Sequence, residues 1–205
     1  PKKQIKYKKA RALQTKTAKK MAKVYEAMEE VDENGELKPD WETVREILTE
    51  LRNDKENLKS YDRSVMWNAW AYYYNQKENY ELSMESYEIL IAEPEVTIPL
   101  RVGALLSLAQ INMFQGNWQK GIDLILQWMK EVETVTAQSW SLLGTGYYQV
   151  GNFKKSMSSM ETAIQMAEEE GYKPKENWYN TMVACIGELK PVSYTHLRAH
   201  ETILD

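Results

Sequence analysis

His196 and His200 form the one histidine pair in this 205-residue chain. Three intervening residues would place both imidazoles on one helix face, a spacing that suits a metal ion. They are the only histidines, and Cys185 is the only cysteine. An internal disulfide framework and a cysteine-based zinc site are therefore excluded. Away from that pair, no Ser–His–Asp or Cys–His arrangement can be assembled. Cys185 falls on the last expected helix, where the ordinary reading is a small buried hydrophobe. The carboxylates Glu29/Glu30 and Glu168/Glu169/Glu170 fall at helix ends or exposed faces, where acids are usually solvated. A glycosidase pair would need a pocket between its two acids. Gly144-x-Gly146 follows no strand, so it does not read as a dinucleotide loop. No catalytic residue, metal site or cofactor is expected once the histidine pair is accounted for.

That pair lies in an unusual tail. Residues 192–202 read Val-Ser-Tyr-Thr-His-Leu-Arg-Ala-His-Glu-Thr, where the helical pattern has stopped. All eleven match one reading frame of a transposase-type sequencing adapter, and Pro191 suits the preceding bases. On this reading 191–205 is non-native, genuine sequence ends at Lys190, and both histidines belong to the adapter. The other end begins with Pro1 and shows no signal-peptide n-region, apolar stretch or cleavage site. It reads as internal to a longer frame, or processed.

The elements that could position a site are helical. Apolar residues are 43% and charged residues 27%, and only 9 glycines occur, too few for a turn-rich β fold. The 7 Trp and 13 Tyr favour binding over catalysis. The net charge of -4 conceals an asymmetry. Residues 1–23 hold ten basic side chains and no acid, so the remainder carries a net charge of -14. Residues 1–14 read as a basic leader. It could meet nucleic acid or an anionic membrane surface, or simply dock on acidic surface nearby. Only Tyr7 is interleaved with its charges, which gives little support to base stacking.

Internal periodicity is the main signal. Trp140, Leu143, Gly144 and Tyr147 fit the pattern W-x2-L-G-x2-Y, followed by Ser156, Met160 and Ala163 on a second helix. Trp67, Trp70, Ala71 and Tyr74 repeat the first-helix order, with Ser83, Tyr87 and Leu90 after them. A middle copy has Leu105, Leu108 and Ala109, then Gly121, Ile125 and Trp128. A last first helix carries Trp178, Met182 and Cys185. Positions 67, 105, 140 and 178 are spaced 38, 35 and 38 residues apart. Turn signals recur in phase at Glu78-Asn79-Tyr80, Gly116-Asn117-Trp118 and Gly151-Asn152-Phe153.

These residues resemble the tetratricopeptide repeat (TPR), a helix–turn–helix unit. The expected fold is all-α, an α–α superhelix of stacked hairpins. The repeat domain is placed at 15–190, with hairpins near 15–53, 63–92, 100–131 and 137–170. A lone first helix follows at 175–189. In the first hairpin the helices are expected at 12–33 and 40–53, and a long connection at 93–101. Large signature residues fill the space between paired helices, and small ones sit where backbones approach.

What the TPR resemblance implies is a concave face lined by first-helix residues. In register these are Asn68, Tyr72 and Gln76; then Leu106, Gln110 and Met113; then Ser141, Thr145, Tyr148 and Gln149. Such a lining is neutral and rich in amides and aromatics, which suits an extended peptide. The bland alternative is ordinary exposed helix residues. Basic side chains that would grip an acidic C-terminus are missing from it.

The order of segments resembles a narrower group, the periplasmic TPR proteins encoded with TonB energy-transduction systems. The residues are the Lys/Arg-rich opening, Val24-Tyr25-Glu26, Met66-Trp67-Asn68-x2-Ala71, Ala92-Glu93-Pro94-Glu95 and Lys173-Pro174-Lys175-Glu176-Asn177-Trp178. The resemblance implies a non-enzymatic scaffold in the periplasm near TonB, ExbB and ExbD, with no small-molecule substrate. It also implies a signal peptide upstream of Pro1 and more helix after Lys190. The alternative is a cytoplasmic TPR adaptor whose basic arm contacts nucleic acid or anionic membrane.

Overall fold

The structure is a computed structural model that describes residues 11–189. The described chain falls into two compact units that meet in sequence at Glu133/Thr134, whereas the sequence reading treats 15–190 as one repeat domain. Residues 1–10 of the leader, Lys190 and the expected non-native tail with His196 and His200 lie outside the described residues.

The first unit opens with α1 (Thr15–Met28) and α2 (Trp41–Asn53). In α1 the buried residues Thr17, Met21, Val24 and Ala27 recur every three or four positions and so form one stripe. The expected extension to 33 does not occur. Asp32 Oδ1 accepts the backbone N–H groups of Asn34 and Glu36, and Gly35 takes φ 80°. A single antiparallel bridge pairs Val31 with Leu37, so these residues form a small hairpin instead of helix. Asp40 then caps α2 by accepting from the N–H groups of Glu42 and Thr43. Its burial stripe is Val44, Leu48 and Leu51.

A short 3-10 turn at Lys55–Asn57 leads to α3 (Ser60–Gln76) and α4 (Tyr80–Ala92). Then come α5 (Ile98–Phe114) and α6 (Trp118–Glu131). The connection before α5 is shorter than expected because Pro99 lies inside the first helical turn. A proline is tolerated there, since that N–H has no partner within the helix anyway. Met21, Val24, Leu48, Met66 and Trp70 form one core cluster, and Ala71, Leu90, Ala104 and Leu108 a second. Trp67 is packed against both, which is what a large first-helix residue must do in a stack.

The second unit contains α7 (Ala137–Gln149), α8 (Phe153–Glu169) and α9 (Glu176–Leu189). Its core holds Ala137, Met160, Ala163, Ala167 and Trp178, with Trp140 packed on it. Among the described residues no helix is long and apolar enough to cross a membrane.

The repeat is visible atom by atom. Ser83 donates its hydroxyl to the Ala71 carbonyl at 2.8 Å, and Ser156 donates to the Gly144 carbonyl, also at 2.8 Å. Both pairs are twelve residues apart. The third equivalent is Gly121, whose absent Cβ would stand 3.2 Å from the Ala109 carbonyl oxygen. First helices end alike: the N–H groups of Asn79, Asn117 and Asn152 reach back to the carbonyls of Tyr74, Asn112 and Tyr147. That closure needs one left-handed residue, supplied by Gly116 and Gly151 in two copies and by Glu78 at φ 56° in the first. The asparagines at these turns keep negative φ, and Asn79 and Asn152 cap the following helices.

Two arginine clasps brace the first unit. Arg63 meets Glu93 with two hydrogen bonds of 2.7 and 2.9 Å and donates to the Leu58 carbonyl. Arg101 meets Glu131 at 2.8 and 3.1 Å and donates to the Ile91 carbonyl. Each arginine stands four residues before the signature position, at Trp67 and Leu105 respectively. At the next such position the chain has Thr136, which instead caps α7 by accepting from the Ser139 N–H.

Candidate peptide-binding face

One stripe of α3 carries Tyr61, Val65, Asn68, Tyr72 and Asn75, at helical intervals of three and four. The matching stripe of α5 carries Leu100, Gly103, Ser107, Gln110 and Phe114. The two helices touch directly. Two hollows open along this pair. One, of about 470 Å³, is lined by residues that include Leu13, Tyr25, Val65, Asn68 and Leu100. The other, of about 280 Å³, is lined by residues that include Asn75, Tyr80, Tyr87, Gln110 and Phe114. Neither contains a charged side chain.

The wall residues have distinct roles. Phe114 is 72% exposed and stands edge-on to Tyr80 with ring centroids 5.2 Å apart. Tyr87 is buried, and burial pushes its phenol up, opposed by a hydrogen bond with Ser107. Tyr25 is likewise pushed up by burial, with the neighbouring Tyr61 phenol adding to it. These phenols stay neutral across the ordinary pH range and can serve as hydrogen-bond donors.

The expected face residues are placed as follows. Tyr72 is exposed, 6.2 Å from the Trp41 ring, and Gln76 and Gln110 are exposed. Asn68 and Leu106 are half-buried. Met113 is corrected: it is 2% exposed and packs into the space left by Gly121. It therefore belongs to the α5–α6 contact and lines no open face. In the second unit Ser141, Thr145 and Tyr148 are half-buried and Gln149 is exposed. Ser141 and Thr145 turn their hydroxyls onto the carbonyls of Gln138 and Ser141, so those donors are engaged within α7. Tyr148 stands edge-on to Phe153 at 5.6 Å.

The signature residues pack as the repeat requires. Ala71 and Ala163 have no exposure, and Leu143, Gly144 and Trp178 are buried. Tyr74 stacks on Trp70 at 5.0 Å, and Tyr147 receives the Lys155 ammonium at 5.2 Å from its ring. Cys185 is buried. Within the basic opening, Lys16 pairs with Asp54 and Lys20 with Glu50, both bonds joining α1 to α2 or its C-cap within the first hairpin, and Arg11 pairs with Glu95. Part of that charge is thus matched within the first unit.

Sequence reasoning missed Phe114, Tyr80 and Gly103. Phe114 could have been found, because it stands at the copy position of Gln76 and Gln149. It also missed Tyr179, Val183 and Ile186, which leave an exposed apolar stripe on α9. They occupy the copy positions of Ser141, Thr145 and Tyr148.

Paired helices with in-phase small-residue contacts, left-handed stops and an open first-helix face define a helical-repeat module of TPR type. Comparison with known proteins agrees. The chain is similar to the MamA RS-1 ArsTM double mutant, with a TM-score of 0.64 at 12% identity over 93% of this chain and 92% of that one. It is similar to TPR-like repeats ascribed to a kinesin light chain of Podosopora anserina, with a TM-score of 0.61 at 14% identity over 84% and 86%. A third similar structure is apo RapI, with a TM-score of 0.60 at 13% identity over 84% of this chain. That match spans 62% of RapI, less than two thirds of its length. No protein-family model matches the chain, and no curated protein matches it by sequence. At these identities the likeness establishes the fold: the chain has the TPR-like α–α superhelix fold.

Proposed function

We propose that the chain is a non-enzymatic scaffold that holds a protein or peptide partner on its first-helix face. The observation that carries this is the uncharged, partly aromatic stripe of α3 and α5, set over two hollows on paired helices. Exposed aromatic side chains supply contact area at low entropy cost, and nearby amides can bond a peptide backbone. Tyr72→Ala should weaken partner capture several-fold while leaving helicity unchanged, and Tyr148→Ala should do so in the second unit. Unchanged capture in both variants moves the binding surface elsewhere.

The finer reading places this scaffold in the periplasm, assisting TonB-dependent transport through TonB, ExbB or ExbD. Its support is the sequence resemblance, chiefly Lys173-Pro174-Lys175-Glu176-Asn177-Trp178. Affinity capture from envelope extracts with the intact protein tests it. Recovery of cytoplasmic partners alone, with no component of that system, would sink it.

A further inference from the structure

We propose that α3 and α5 form a two-pocket groove for an extended peptide segment whose large apolar side chains stand four positions apart. This rests on the peptide-binding reading above and names the ligand that the first unit selects.

The hollows share one helix pair and sit at its opposite ends. The larger is reached by Val65 of α3 and Leu100 of α5, the smaller by Asn75 and Gln110. Each of these steps is ten residues along a helix, the middle of the range of seven to fourteen that the two linings span on α3, so the pocket centres are about 15 Å apart at a rise of about 1.5 Å per residue. An extended chain advances about 3.3 Å per residue, so four residues cover about 13 Å and five about 17 Å. Parity decides between them. Successive side chains of an extended strand point to opposite faces, so only an even separation sends both into the groove. Four is the even number that fits.

Pocket chemistry sets the anchor type. Both linings mix aromatic and aliphatic walls with a few uncharged polar groups. A charged anchor would lose its water without gaining a counter-ion. At about 280 Å³, the smaller hollow lies just under the roughly 300–1,000 Å³ usual for small-molecule sites, and one large side chain suits it. Among the described residues the side-chain amides of Asn75 and Gln110 have no partner, so they can bond a passing backbone. Between the pockets lies Gly103, exposed in the second turn of α5, where an added Cβ would meet nothing within 4 Å. That bare stretch of helix lets a ligand backbone cross close to α5.

Gly103 also supplies the test. Gly103→Leu places a side chain in the path from a Cβ position that meets nothing within 4 Å, so it enters the groove without a clash at its attachment point. Fluorescein-labelled, capped peptides of Ser, Gln and Gly, each with one Phe and one Leu separated by two to eleven positions, are titrated against the full chain by anisotropy. Affinity should peak at a separation of four, at least tenfold tighter than at three or five. Gly103→Leu should weaken that peptide at least tenfold with unchanged circular dichroism, and Phe114→Ser should weaken it as well. A flat dependence on separation, a peak near ten or eleven (a helical ligand), or full binding by Gly103→Leu overturns the two-pocket groove. A random peptide library separates this failure from that of the broader reading. Captured peptides that compete at Tyr72 but show no paired anchors leave a peptide-binding face without this groove. A library with no binders refutes both.

Discussion

The close contact between α5 and α6 can be tested with one methyl group at three glycines. A Cβ on Gly121 would stand 2.4 Å from Met113 Cγ and 3.2 Å from the Ala109 carbonyl oxygen. Ordinary contact begins near 3.4 Å, so Met113 would have to retreat by about 1 Å at an atom close to its own backbone. On Gly144 the methyl, Cγ and Sδ of Met160 lie at 3.0, 3.1 and 3.2 Å, so that side chain must give by about 0.2–0.4 Å along its length, much less than Met113 must at Gly121. On Gly103 the methyl meets nothing. Each substitution gains about 0.8–1 kcal/mol of helix propensity, while overpacking costs about 1–3 kcal/mol. Gly103→Ala should therefore stabilise by up to about 1 kcal/mol, Gly144→Ala should lie near neutrality, and Gly121→Ala should destabilise by about 1–2 kcal/mol. Urea titrations followed by far-UV circular dichroism and tryptophan fluorescence give the order. Met113→Ala added to Gly121→Ala should cost less than the sum of the two, since the clash partner is gone. Gly121→Ala as stable as Gly103→Ala, or strictly additive behaviour with Met113→Ala, would refute the close-approach reasoning.

The remaining predictions concern bonds and turns. Arg101 holds the Glu131 carboxyl below the usual carboxylate range, with burial opposing and Gln127 adding to the lowering. A depressed folded value gives stability that is present above the unfolded value and lost as pH falls through the folded one. Glu131→Gln should therefore cost about 1 kcal/mol at neutral pH and flatten the loss of stability below about pH 4.5, read from urea midpoints across pH 3–7. Ser156→Ala removes a buried hydroxyl bond to the Gly144 carbonyl and should cost about 1 kcal/mol, and Ser83→Ala should match it in the first unit by the same measurement. Gly151→Ala forces a Cβ into the left-handed region and should cost about 1 kcal/mol; Glu78→Ala, where a side chain already occupies that region, should change melting little.

Most of the fold was legible because repetition multiplies a weak signal. One helical stripe is ambiguous, but Trp67, Leu105, Trp140 and Trp178 with small residues in phase left one architecture. Errors arose where a local interaction outweighed periodicity. Asp32 and Gly35 turned the expected continuation of α1 through residues 29–33 into a hairpin, and Pro99 entered the first turn of α5. The face was less legible, because helical register gives a direction without saying what fills it. Met113 stands one residue before Phe114, the copy position of Gln76 and Gln149, and its thioether fills the space left by Gly121. Phe114 was less legible because its copies Gln76 and Gln149 are polar, and the aromatic wall it makes with Tyr80 joins two helices. Each hollow draws on three helices, α1, α3 and α5 for the larger and α3, α4 and α5 for the smaller, and no single-helix pattern encodes them.

The two arginine clasps have a further consequence for how the chain comes apart. Arg63 and Arg101 each tie the start of a first helix to a glutamate thirty residues on, at the end of the second helix, and each also holds a carbonyl from preceding chain. Opening α3–α4 or α5–α6 alone would break a bidentate ion pair and free that carbonyl together. With Thr136 at the next equivalent position, the relay of clasps ends where the second unit begins. Amide exchange should accordingly sort into two blocks, with α3 to α6 opening as one event and α7 to α9 on a clock of their own.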